Sequence, residues 1–175
     1  MMVRSLLTAA AALTLVAATA SAQKVVETKM GGGGSPHEKV EWTVGAAKVT
    51  VTYGRPFLKG RALDSIAPAG KIWRTGADAA TTLTTDKSLM IGSLMIPAGT
   101  YTLYTIPGAT TWKLVVSKQT GQWGTEYNEG QDLGRTDLKV EKLATPAEQV
   151  TIGLANNTFT IDWGTTRASA PLMVH

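Results

Sequence analysis

Cysteine is absent from all 175 residues, and histidine occurs only at His37 and His175. The first absence excludes disulfides, thiol catalysis, thiolate zinc sites and iron–sulfur clusters, and with them the thioether-linked lipid anchor of a bacterial lipoprotein. The scarcity of imidazole excludes more. No His-x-His or His-Glu-x-x-His spacing offers a metal site, and no Gly-x-Ser-x-Gly elbow supports serine hydrolysis. One histidine follows a glycine run and the other is the last residue, so both read as solvated tail residues, and neither a metal nor a cofactor is expected. Helix-period apolar stretches of useful length are missing too.

What is present begins with a leader. A positive start at Arg4, an apolar run from Leu6 to Ala18 and the small-residue end Ala20-Ser21-Ala22 together describe a secretory signal peptide over residues 1–22. The run is shorter than the roughly 20 apolar residues of a membrane span, and no later run is longer. Export to the periplasm or the medium is therefore expected. Loss of Arg4 changes the net charge from +4 to +3, a mild excess without the basic arm that marks nucleic-acid binding.

The run Gly31-Gly32-Gly33-Gly34-Ser35-Pro36 is costly to order, so residues 23–37 read as a flexible tether and residues 38–175 as one domain. A phosphate-cradling loop would need Gly-Lys-Ser/Thr opening a helix, which is not there. From Glu38 the apolar period is two. Val40, Trp42 and Val44 alternate with polar neighbours, as do Val49, Val51 and Tyr53, with a turn at Gly45-Ala46-Ala47. Further strand-like segments cover 79–85, 88–91, 94–96, 100–106, 112–117, 138–140, 150–154 and 159–163, punctuated by Gly92-Ser93, Pro97-Ala98-Gly99, Pro107-Gly108 and Asn156-Asn157. The pattern predicts an all-β antiparallel sandwich, or a partly open barrel, of roughly eight to ten short strands. Two long loops interrupt it, near 54–78 and 118–137.

The first loop concentrates Arg55, Lys59, Arg61, Lys71 and Arg74 against only Asp64 and Asp78. Guanidinium forks suit carboxylate, phosphate or sulfate, and Trp73 or Tyr53 offers a face for a flat or sugar-like group. The competing reading is that Arg55, Arg61 and Arg74 tie down the loop's own carbonyls and acids. Trp42, Trp112 and Trp163 lie in alternating strands and read as core, whereas Trp123 lies in the second loop. Candidate binding residues are thus Arg55, Lys59, Arg61, Trp73, Arg74, Asp78 and Trp123. Asp64, Asp78, Glu126, Glu129, Asp132 and Asp162 are the acids from which a hydrolytic pair would have to come.

Several motifs in order resemble one exported bacterial family, catalogued as domain of unknown function 2911. They are Ser35-Pro36-His37-Glu38, Tyr53-Gly54-Arg55-Pro56, Lys59-Gly60-Arg61, Gly70-Lys71-Ile72-Trp73-Arg74-Thr75-Gly76-Ala77-Asp78, Ile96-Pro97-Ala98-Gly99-Thr100-Tyr101 and Gln122-Trp123-Gly124. The resemblance runs from about Ser35 to the C-terminus and implies a β-rich envelope protein with no established activity. Three functions stay open: binding of a small anionic or carbohydrate-like ligand or an envelope partner through the basic loop, carboxylate-based hydrolysis of envelope glycans, and assembly through exposed strand edges.

Overall fold

Period-two patterning becomes a single open antiparallel sheet. The computed structural model describes residues 23–175; the leader expected over residues 1–22 lies outside the described residues. Ten strands form: β1 (Gln23–Met30), β2 (Pro36–Val44), β3 (Ala47–Gly54), β4 (Thr82–Thr85), β5 (Leu89–Ile91), β6 (Leu94–Ile96), β7 (Gly99–Ile106), β8 (Thr111–Ser117), β9 (Asp132–Ala155) and β10 (Thr158–Val174). Their order in the sheet is β1-β2-β3-β4-β7-β8-β9-β10-β5-β6. The only helical turns among the described residues are short 3-10 pieces at Leu63–Ser65 and Glu129–Gln131. None is long and apolar enough to cross a membrane.

Turn chemistry sets the registers. Gly45 (φ 55°) lets β2 and β3 close through a two-residue loop, which places Val40 opposite Val51 and Trp42 opposite Val49. Asn156 and Asn157 both adopt left-handed φ (51° and 55°) between β9 and β10, the geometry that matches the strands' own twist. Alternation then puts Val40, Trp42, Val44, Val49, Val51 and Tyr53 in the core, joined by Leu83, Leu103, Leu114, Ile152, Phe159 and Trp163. Each such side chain contributes roughly 1.5–3 kcal/mol on leaving water. Trp42, Trp112 and Trp163 are core residues, as their strands predict.

Two features differ from the sequence reading. Not all strands are short: β9 has 24 residues and β10 has 17. The segments expected separately at 138–140 and 150–154 are one strand, whose register against β10 shifts on both sides of Gly164 (φ 57°). Such bulges bend a strand without ending it, so one chain segment serves both layers of a sandwich. Beyond the bend, Leu172–Val174 pair with β5, which carries the β5–β6 hairpin to the far edge of the sheet.

The second difference is at the glycine run. Where a tether was expected, β1 pairs with β2 from Gln23↔Trp42 to Met30↔Pro36, and residues 31–35 form the connecting turn. Gly31 N donates to Ser35 O (2.8 Å) and Gly34 N to Gly31 O (3.0 Å). All eight residues of β1 are exposed, so this edge strand is held by its ladder and not by a core.

Candidate ligand-binding site

The first long loop leaves β3 at Gly54 and rejoins the sheet at β4. Its opening is tied to the scaffold by Arg55. The guanidinium donates through Nε to Val150 O (2.9 Å), through Nη1 to Glu38 Oε1 (2.7 Å) and through Nη2 to Thr151 Oγ1 (2.9 Å), and it lies 6.0 Å from the Tyr53 ring centre. Arg61 donates to the carbonyls of Leu58 (2.9 Å) and Phe57 (2.7 Å), so its charge meets no carboxylate. Lys59 has left-handed backbone (φ 51°), and its amide donates to Glu148 Oε1 (2.7 Å).

The loop's return is anchored by Trp73. Its amide donates to Thr105 O (2.7 Å) and its carbonyl accepts from Thr105 N (2.9 Å). Its ring stacks on Trp163 (5.2 Å, 10°) and meets Trp112 edge-on (6.3 Å, 88°). Thr75 and Asp78 follow with φ of 54° and 61°. Left-handed backbone at a β-branched residue is held only where its surroundings dictate it. Here Thr75 is fully buried, its hydroxyl donates to Thr105 Oγ1 (3.1 Å), and its carbonyl accepts from Thr81 Oγ1 (3.0 Å). A Cβ at Gly54 would lie 2.5 Å from Ala77 O, and one at Gly76 would lie 2.9 Å from Gly54 O, so both glycines are needed for the loop to close on its own start.

Asp78 is 7% exposed and bonds the imidazole of His37, itself 8% exposed, at 2.9 Å (Oδ2 to Nε2). The glycine turn lies directly over this pair. A Cβ on Gly31 would collide with Asp78 Oδ2 and the His37 ring, and one on Gly33 with Asp78 Oδ1. Nothing comparable surrounds Gly32 or Gly34. The run is therefore a close cover over a buried carboxylate, which only residues without a side chain can make.

The second loop, 118–131, closes the other side. Ala80 N donates to Gln122 O (3.2 Å) and Gly124 N to Asp78 O (2.9 Å), with Ala79 bridged to Trp123. The Arg74 stem crosses Gly124 so closely that a Cβ there would lie 2.7 Å from Arg74 Cδ. Gln122 Nε2 donates to the Tyr104 hydroxyl (3.0 Å), and Tyr104 meets Tyr127 edge-on at 4.9 Å. Tyr127 donates to Asp132 Oδ2 (2.8 Å) and accepts from Arg135 (2.9 Å), which also bonds Glu129 (2.6 Å). Burial, then the hydrogen bond to Asp132, pushes the Tyr127 phenol up to about 12; the bond to Asp132 holds the Arg135 guanidinium above its ordinary range.

Two cavities adjoin across Arg74 and Ile66, which line both. The larger, about 320 Å³, lies between the glycine turn and the basic loop, and Lys59, Arg61, Arg74 and Asp78 are its charged residues. The smaller, about 280 Å³, is walled by Ile72, Trp73, Tyr104, Gly124, Thr125 and Tyr127. Arg74 is half-buried and is the sole arginine among the described residues with no hydrogen bond or ion pair; Arg55, Arg61, Arg135 and Arg167 all have partners.

Of the residues singled out from sequence, Lys59, Arg61, Arg74 and Asp78 meet at one cavity. Arg55 does not: each of its three guanidinium nitrogens donates to β2 or β9. Trp73, expected as a stacking platform, gives one face to Trp163 and is 6% exposed, so only its margin reaches the smaller cavity. Trp123 is 48% exposed beside the site without lining either cavity. Sequence reasoning missed His37, set aside as a tail residue, and the Tyr104–Tyr127 pair. The available signal for His37 was its place in Ser35-Pro36-His37-Glu38, immediately before the alternation that begins at Glu38. No group of three or more potential metal ligands occurs among the described residues.

No curated protein and no solved structure matches the chain. Residues 35–172 match the family model described as "Protein of unknown function (DUF2911)", a span that contains both loops, His37 and every charged residue of the cleft, and the chain belongs to that family.

Proposed function

We propose that this protein is an exported, non-enzymatic binder of a small anionic ligand, taken up in the cleft between the glycine turn and the basic loop. Export rests on the leader-like residues 1–22. One observation carries the binding: Arg74 keeps an unused guanidinium at a cavity where the side chains of the other two cations, Lys59 and Arg61, form no ion pair among the described residues, Glu148 reaching only the Lys59 backbone amide. A planar fork with free donors suits an oxyanion better than any other small ligand. Asp78, the cleft's one acid, already bonds His37 through Oδ2. That same engagement favours binding over hydrolysis by paired carboxylates, since neither cavity wall offers a second acid.

Thermal shift tests this. Phosphate, sulfate, acetate and uronic acids should be titrated into the wild type and into Arg74→Ala. A bound anion raises the wild-type melting point by mass action and leaves the variant unmoved. If no anion moves the wild type, or if both proteins shift alike, the reading fails.

The uncovered edge strand β1 favours a second reading, recruitment of a partner strand by sheet extension. Proline substitutions along β1, which remove ladder donors, would weaken such recruitment and leave the cavity-lining residues in place.

A further inference from the structure

The smaller cavity is walled differently from the larger, and the difference names a ligand class. Around Ile72, Trp73, Tyr104 and Tyr127 the side chains are apolar or aromatic. Their polar tips are mostly engaged already: the Tyr104 hydroxyl with Gln122 and Glu126 O, and the Tyr127 hydroxyl with Asp132 and Arg135. The side-chain donors and acceptors left free on this wall, apart from Arg74, are the Thr125 hydroxyl and the Trp73 indole N–H. A sugar seated here would leave several hydroxyls without partners, each a cost once water is excluded. A flat apolar ring has no such requirement and gains from the Tyr127 edge and from Ile72, 37% exposed at the rim.

We infer that the ligand is an aryl anion: its carboxylate or phosphate is held by Arg74 at the basic cavity, and its ring enters the neighbouring cavity between Ile72 and Tyr127. This rests on the anion-binding reading above and adds the second half of the molecule. Arg74 lines both spaces, so a ligand held by its fork adjoins the ring cavity. Gly124 keeps it there, since any side chain at that position would displace the Arg74 stem.

Calorimetric titration with matched probes separates the two halves. Phenyl phosphate should bind about tenfold more tightly than inorganic phosphate, or benzoate about tenfold more tightly than acetate, the gain typical of half-burying a phenyl ring. Ile72→Ser alters an exposed rim residue, so the fold is expected to persist. It should cut the aryl advantage to less than about threefold and leave the bare anions unchanged. Arg74→Met should abolish binding of the aryl probes and of the bare anions alike. Equal affinity for phosphate and phenyl phosphate, and for acetate and benzoate, would overturn the ring site while sparing the anion site. Binding of none of the four probes would overturn both. Aryl binding that survives Arg74→Met, or an aryl advantage indifferent to Ile72→Ser, would show that the ring is seated elsewhere and overturn the inference.

Discussion

Arg55 and Arg74 stand at the two ends of one loop, and they have opposite situations. Arg55 is surrounded by acceptors from β2 and β9, with Nε, Nη1 and Nη2 each donating once. Arg74 has none, although it is half-buried and its neighbours in the chain are fixed with unusual care: Trp73 between two indoles, Thr75 and Asp78 in left-handed backbone. A guanidinium is costly to bury and costly to immobilise. Arg55 recovers that cost inside the protein. Arg74 has no such partner among the described residues and lines an open cavity. The first corner of the loop is tied into the fold, and the second is where the proposed anion would bind.

The strongest way to break this contrast is at Arg55. Arg55→Ala removes a fork and leaves Glu38, whose side chain is 16% exposed, without its counter-charge. The expected loss is about 3 kcal/mol, a fall of roughly 10 °C in melting temperature. Anion affinity of the folded protein should stay the same. A variant that melts normally but loses the ligand would reverse the roles assigned to the two arginines.

Next in size are the glycines over Asp78. Gly31→Ala and Gly33→Ala each place a methyl group against the carboxylate or the imidazole and should cost about 1–3 kcal/mol. Gly32→Ala meets nothing within 4 Å and should be neutral, or stabilising by up to about 1 kcal/mol through the unfolded chain. Chemical denaturation of the three variants decides between a fitted turn and a loose connector. Identical midpoints for all three would mean that the run is a tether after all.

That choice shows what was legible in the chain and what was not. Alternation in β2, β3 and β10, and turn residues such as Gly45, Gly92 and Asn156-Asn157, are local signals, so the strands they bound were readable without coordinates. The basic loop was readable as a place. Its internal division was not, because Arg55 and Arg74 differ in what the folded sheet brings beside them: for Arg55, Glu38 from β2 and Val150 and Thr151 from β9, the last two ninety-odd positions away. His37 was misread for the same reason: its burial depends on Asp78, which reaches it only after the loop has folded back. Trp73 carried the right residue type for a binding platform, but Trp163, near the other end of the chain, occupies its face. Four glycines in a row have one entropic meaning in isolation and another against a carboxylate.

Tyr127 supplies a smaller effect, visible only in alkali. Its phenol is raised from an ordinary 10.0 to about 12, first by burial and then by the bond to Asp132. A raised value means the native state favours the protonated phenol. The associated stability is complete below pH 10 and is lost as pH rises through about 12. In Tyr127→Phe that loss should be shallower over this window, and the phenolate step near pH 12 should vanish from an ultraviolet titration. A titration that keeps the step in the variant would assign it to another tyrosine and loosen the account of the second loop.

The smallest expected change in stability belongs to Arg74 and is the most telling. With no partner to lose among the described residues, Arg74→Lys should stay within about 0.5 kcal/mol of the wild type. It keeps the positive charge and part of the aliphatic stem that crosses Gly124, but replaces a planar fork by a point charge. If the cleft merely attracts anions by its field, lysine will serve as well as arginine and the thermal response to phosphate will survive. If the guanidinium grips an oxyanion with two parallel N–H bonds, the response will fall sharply although net charge and fold are unchanged. The same exchange at Arg55 would damage the protein itself, since Nε, Nη1 and Nη2 serve three acceptors that one ammonium cannot reach together. One substitution made at both ends of the loop thus separates an arginine that the fold consumes from one that it holds in reserve.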